Sequence, residues 1–150
     1  MLKSLRAILY RLRLRELIAY GIVGVLTTVV NYVMYAGVSR GAAALLGIAP
    51  DHAAMILAAK IVAWIAAVAF AFWANKKYVF MSADWSLSTL RHELPSFVSA
   101  RILSLLFDVA FVELAVHLLG MNDLIATLIS NVIVIVLNYL ASKLCIFKKR

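Results

Sequence analysis

Four stretches of the chain are apolar for about twenty residues at a time, the length that crosses a bilayer as α-helix. They run approximately over 17–39, 52–74, 94–119 and 124–142, with polar residues gathered between them. The pattern predicts four transmembrane helices. Ahead of the first, residues 1–16 set Leu5, Ile8, Leu9, Leu12 and Leu14 among arginines. That segment is either an amphipathic helix lying on anionic lipid or a solvated basic tail.

The connections carry their own signals. Gly41, Gly47 and Pro50 mark Arg40 to Asp51 as a loop. Residues 81–92 read as a polar linker in which Ser86, Ser88 and Thr89 offer N-cap chemistry. Pro95 is expected in the first turn of the third helix, where its missing N–H costs nothing. The segment GMND, 120–123, makes a short turn before the fourth. Gly21 and Gly24 lie about one turn apart, a spacing that admits the backbone of a neighbouring helix.

Composition sharpens the picture. Hydrophobic residues make up 65% of the chain and the mean hydropathy is +0.99, against about 45–50% apolar in soluble domains. Such a chain cannot cover its apolar surface with polar groups, so its solvent is lipid. The net charge is +8, and its placement explains it. Lys3, Arg6, Arg11, Arg13 and Arg15, then Lys76, Lys77 and Arg91, then Lys148, Lys149 and Arg150 alternate with connections that hold only Arg40. This is the positive-inside pattern, with both ends in the cytoplasm. A nucleic-acid surface needs no such alternation, and none is expected as a partner. Cys145 is the only cysteine, which excludes an internal disulfide.

The two halves resemble each other. ELIAYGIVGVLTTVVNY (16–32) aligns without gaps to ELPSFVSARILSLLFDV (93–109), an offset of 77 that sets Asn31 on Asp108, Thr27 on Ser104 and Gly24 on Arg101. FWANKKYVF (72–80) aligns to YLASKLCIF (139–147), an offset of 67 that sets Lys76 on Lys143 and Phe80 on Phe147. Two helices per half return the chain to its starting side, so both halves insert alike. The expected fold is an all-α integral membrane protein of four transmembrane helices, built as two parallel two-helix repeats. The expected layout is a basic cytoplasmic segment 1–16, a transmembrane domain 17–147 and a basic tail 148–150.

These motifs, in this order, resemble the GtrA-like family. The opening helix reads EL-x-x-Y-G-I-V-G-x-L-x-T-x-x-N-Y, the second ends in N-K-x-x-x-F, and the fourth ends in N-Y-x-x-S-K-x-x-x-F. The resemblance covers about residues 16 to 147. It implies a flippase in a bacterial or archaeal inner membrane. Its substrate would be a polyprenyl-phosphate-linked monosaccharide, moved from the cytoplasmic to the outer leaflet for glycosylation of an envelope polysaccharide. Thr127 stands where lysine is common in the family's closer branches, and Lys60 holds the corresponding place in the first half.

Ionisable groups inside a bilayer are costly and mark function by default; here they are Lys60, Arg101, Asp108 and Glu113. Arg101 and Asp108 are seven residues apart, two helical turns, with Ser104 between them on the same face. Under the family resemblance Arg101 holds the lipid phosphate, since guanidinium suits bidentate phosphate binding, and Asp108 accepts sugar hydroxyls. The competing reading is a structural network in which Arg101 pairs with acids. Lys60 and Trp64, one turn apart, read as a second phosphate or sugar contact, or as a snorkelling lysine and a lipid-facing ring. Lys60 could also pair with Asp108 or Glu113. Asn31, Asn131 and Asn138 are sugar ligands or interhelical glue, and Asn131 and Asn138 lie two turns apart on one face. Lys76 and Lys143, at matching helix exits, set topology and guide the headgroup.

No enzyme is expected. His52, His92 and His117 are scattered, no metal set forms, and no phosphate-binding G-x-x-x-x-G-K-[ST] loop is present, so no cofactor follows. A homodimer would enlarge the path that a four-helix chain can enclose. A second functional reading is a non-transporting membrane scaffold that recruits a polyprenyl glycosyltransferase through its basic face. A small multidrug-type exporter is disfavoured, because helix 1 holds no acid within the membrane.

Overall fold

The computed structural model describes residues 2–47, 49 and 52–147, with side chains from Leu14 onward except those of Ala42 and Ala43. The basic tail 148–150, Pro50 and Asp51 lie outside the described residues, as do the side chains that would form an amphipathic face over 1–13. All the elements are helical: α1 (Leu2–Gly37), α2 (Ala43–Leu46), α3 (Ala53–Ala74), α4 (Leu87–His117) and α5 (Asp123–Ala141). π-helical turns follow α1 over Val38–Ala42, α3 over Asn75–Val79 and α5 over Ser142–Ile146. The chain folds as two units, residues 1–81 and 82–150, each a hairpin of two long helices.

Three boundaries differ from expectation. The basic segment and the first apolar stretch form one uninterrupted helix, because leucine and arginine are strong helix formers and no glycine, proline or cap intervenes at residues 16–17. The connection between the first two long helices is partly helical, through the π turn and α2, and its helical part ends at Gly47 with φ +65°. The third helix begins at Leu87, inside the expected linker. Ser86 caps it by accepting from the Thr89 N–H, and Asp84 receives the Ser86 N–H at 2.9 Å and the Thr89 hydroxyl. Pro95 therefore sits in the helix interior. It cannot donate to the Arg91 carbonyl.

Among the described residues three helices are long and apolar enough to cross a membrane: Leu14–Leu46, Ala53–Val79 and Asp123–Ile146. α4, about 46 Å long at 1.5 Å per residue, carries Arg91, Glu93, Arg101, Asp108 and Glu113 and is not among them.

In the first hairpin α1 packs against α3. α3 buries Met55, Ala59, Ala63, Ala67 and Ala71, a stripe every fourth residue. Small residues there let the backbones approach closely. α1 meets that stripe with buried Tyr20 and Val23. A Cβ built on Gly21 or Gly24 would meet nothing within 4 Å, so the expected close approach at those glycines is absent. The hairpin is closed by Tyr20 against Phe80, centroids 6.4 Å apart and planes at 56°.

The second hairpin packs α4 against α5. It is closed by Phe97 against Phe147, centroids 6.0 Å apart and planes at 49°. Phe97 is the alignment partner of Tyr20, as Phe147 is of Phe80. In both hairpins the closing phenylalanine donates its N–H five residues back across the π turn, Phe80 to Asn75 at 2.9 Å and Phe147 to Ser142 at 2.8 Å.

Candidate functional site

The second hairpin has a polar seam. α5 buries Ala126, Ser130 and Asn138, again at multiples of four residues, and α4 meets them with Ser104 and Asp108. Asn138 Nδ2 donates to Ser104 Oγ at 3.1 Å, and that hydroxyl lies 3.0 Å from the Arg101 carbonyl and 3.2 Å from Asn138 Oδ1. One hydroxyl has one proton, so it serves one of these acceptors at a time. One turn along, Ser130 Oγ donates to Asp108 Oδ1 at 2.6 Å. Ser130 is fully buried and Asp108 half-buried. The second carboxylate oxygen of Asp108 has no partner among the described residues.

Arg101 is the residue of this row that spends nothing on the seam. Its guanidinium carbon lies 5.0 Å from the centre of the Phe97 ring. That ring is itself pinned by Phe147 and is 1% exposed. A cation over a ring face is attracted by the ring quadrupole, and this contact leaves the N–H fork unused. Among the described residues Arg101 makes no ion pair. Of the acids on its own helix, Asp108 takes Ser130, Glu113 lies 3.3 Å from His117 on an exposed face, and buried Glu93 has an interaction of its own.

Ser104 and Asp108 thus come together with Asn138 and Ser130 across the seam, while the Arg101 side chain lies apart from it, over Phe97. Sequence reasoning passed over Ser130; its signal is the spacing of four from Ala126 and eight from Asn138. The other residues lie elsewhere. Asn131 is exposed while Asn138 is buried, because the seam follows every fourth residue rather than every seventh. Lys60 and Trp64 are exposed and Asn31 is half-buried, and none of the three hydrogen-bonds to a described residue through its side chain. Lys76 is fully buried. Lys143 is half-buried and donates to the Tyr139 hydroxyl at 2.8 Å. Among the described residues no group of three His, Cys, Asp or Glu side chains could hold a metal.

Residues 19–147 match the family described as GtrA/DPMS, transmembrane domain. The chain is 40% identical over 92 residues to an uncharacterized membrane protein, YwcD, of Bacillus subtilis, covering 61% of this chain and 72% of that protein. It is 43% identical over 90 residues to the cell wall teichoic acid glycosylation protein GtcA of Listeria monocytogenes, covering 60% of this chain and 62% of the relative. The protein of the same name from Listeria innocua is 42% identical over 92 residues, 61% of this chain and 63% of its own length. The matches therefore span less than two thirds of the two Listeria proteins. No solved structure matches.

Proposed function

The chain belongs to the GtrA/DPMS transmembrane-domain family, and from that membership we propose that it carries a polyprenyl-phosphate-linked monosaccharide from the cytoplasmic to the outer leaflet of a bacterial inner membrane. The sugar then glycosylates an envelope polymer; the names of the Listeria relatives point to wall teichoic acid. The observation that carries the reading is the unspent guanidinium of Arg101 over Phe97. An intramembrane arginine kept only to pin a bundle would be spent on an acid, because an isolated charge in lipid is expensive. This one rests on a ring, and its donors have no partner among the described residues.

In this reading Arg101 takes the phosphate in a bidentate grip. Asp108, oriented by Ser130, accepts sugar hydroxyls with its second oxygen. Ser104 and Asn138 fix the two helices in register. Lys60 and Trp64 supply a second headgroup contact, and Asn31 and Asn131 further hydroxyl partners. Lys76 and Lys143 act at the cytoplasmic exits. α4 is the remaining span, its charges turned to the substrate path. The two hairpins insert in parallel with both termini in the cytoplasm, a view supported by the matching ring pairs and π turns. A second copy enlarges the path, and a polyprenyl glycosyltransferase supplies the substrate. With no nucleotide-binding motif in the chain, the lipid gradient and outer consumption of the sugar drive net movement.

The test is leaflet transfer of a polyprenyl-phosphate-sugar in proteoliposomes, wild type against Arg101→Ala and Arg101→Lys. Transfer by wild type that is lost in folded Arg101→Ala and weakened in Arg101→Lys is expected. No transfer by wild type across several sugars overturns the reading in favour of a scaffold that recruits the glycosyltransferase.

A further inference from the structure

The exit of α3 carries a cluster that the transport reading does not use. Lys77 is exposed, and its ammonium nitrogen lies 5.2 Å from the centre of the Trp73 ring and 5.3 Å from that of Tyr78. The two rings meet edge to face, 5.3 Å apart with planes at 85°. Trp73 is 40% and Tyr78 51% exposed, so two large aromatic surfaces stay outside the hairpin. Among the described residues Lys77 has no acid partner, and neither the indole N–H nor the phenol is hydrogen-bonded.

Folding does not account for the cluster. At the positions 67 residues on, the second hairpin has Leu140, Leu144 and Cys145. Its π turn closes with the same N–H to carbonyl bond all the same. Hairpin closure therefore needs neither the rings nor the charge, and their chemistry points outward.

That chemistry is specific. The apolar span Ala53–Val79 ends at this cluster, which puts it at the edge of the hydrocarbon. Tryptophan and tyrosine favour the headgroup level. A lysine near the surface attracts anionic lipid. The two rings hold the ammonium in place while its N–H donors remain available for a phosphate. We propose that Trp73, Lys77 and Tyr78 form a binding site for the headgroup of an anionic phospholipid of the surrounding leaflet. The ammonium pairs with the phosphate, and the indole N–H and phenol donate to neighbouring headgroup oxygens. The site is independent of Arg101 and stands whether or not the chain transports sugar.

The test uses Trp73 as its own reporter. The full chain with Trp64→Phe and Trp85→Phe is reconstituted in phosphatidylcholine vesicles. A minor fraction of the lipid is brominated near the headgroup end of its acyl chains, as phosphatidylglycerol or as phosphatidylcholine. One lysine near the surface enriches anionic lipid locally by about fivefold, so brominated phosphatidylglycerol should quench Trp73 clearly more than the same fraction of brominated phosphatidylcholine. The excess should vanish in Lys77→Gln and persist in Lys77→Arg. Equal quenching by the two lipids overturns the proposal, as does an excess that survives Lys77→Gln. Quenching by neither lipid overturns it as well, by placing a protein surface over the cluster. If the double tryptophan variant fails to fold, native mass spectrometry of the unaltered chain and Lys77→Gln decides: the proposal stands only if bound phosphatidylglycerol falls in the variant.

Discussion

In the first hairpin the stripe that α3 buries includes Ala59, Ala63, Ala67 and Ala71. In the second hairpin, 67 residues on, the matching positions of α5 are Ala126, Ser130, Val134 and Asn138. The closures are alike, a tilted aromatic pair and a π turn in each, while the linings differ. The difference teaches what the polar seam is for. An alanine seam already closes a hairpin. Hydrogen bonds between membrane helices average only about 0.6 kcal/mol, and an aromatic pair contributes about 0.5–1.5 kcal/mol beyond its area. Ser130 and Asn138 add little holding power that the rings lack. What they add is a fixed hydrogen bond to Asp108 and another to Ser104.

The largest effect should fall on transport and on one side of the comparison only. Hydrogen bonds to a charged group contribute about 1.5–3 kcal/mol, so Arg101→Ala should slow leaflet transfer by roughly 10- to 100-fold. Gly24→Ala, at the matching position of α1, should leave the rate within about twofold, because an added Cβ meets nothing within 4 Å. Equal losses would mean that the two hairpins share the work.

Next comes a transplant of the polar seam. Ala71 is 1% exposed, so Ala71→Asn forces an amide into a packed alanine stripe, where α1 has Thr27 in the place of Ser104 and the Thr27 hydroxyl is already given to the Val23 carbonyl at 2.7 Å. Overpacking and an unsatisfied polar group should cost about 2–3 kcal/mol in reversible unfolding from micelles. A cost under about half a kcal/mol would show that the alanine seam is not tightly packed.

The reverse change is milder. Asn138→Ala should cost about 1 kcal/mol or less in the same assay, since Ser104 keeps the Arg101 carbonyl at 3.0 Å. A loss well above that would give the polar seam a structural role. Smallest is Gly21→Ala, which should stabilise the chain by about 0.5–1 kcal/mol through helix propensity alone. Destabilisation would reveal a helix packed on that glycine face, as a second copy would supply.

Much of this was legible in the apolar runs. The expected 52–74 and 124–142 fall within a residue of α3 and α5. The start of α4 was not, because Asp84, Ser86 and Thr89 build their cap inside a stretch whose composition reads as linker. The Arg101–Ser104–Asp108 row followed from helical geometry on one chain segment. Ser130 did not, because a serine within an apolar helix signals nothing until the facing helix brings a carboxylate to it. Asn131 is exposed where Asn138 is buried: spacing says which residues share a face, and only the partner helix says which face is inside.

Phe97 belongs to two contacts at once. It locks the second hairpin against Phe147, and it is the surface on which Arg101 rests. A change to that ring therefore acts on the seat of the arginine and on the closure of the hairpin together.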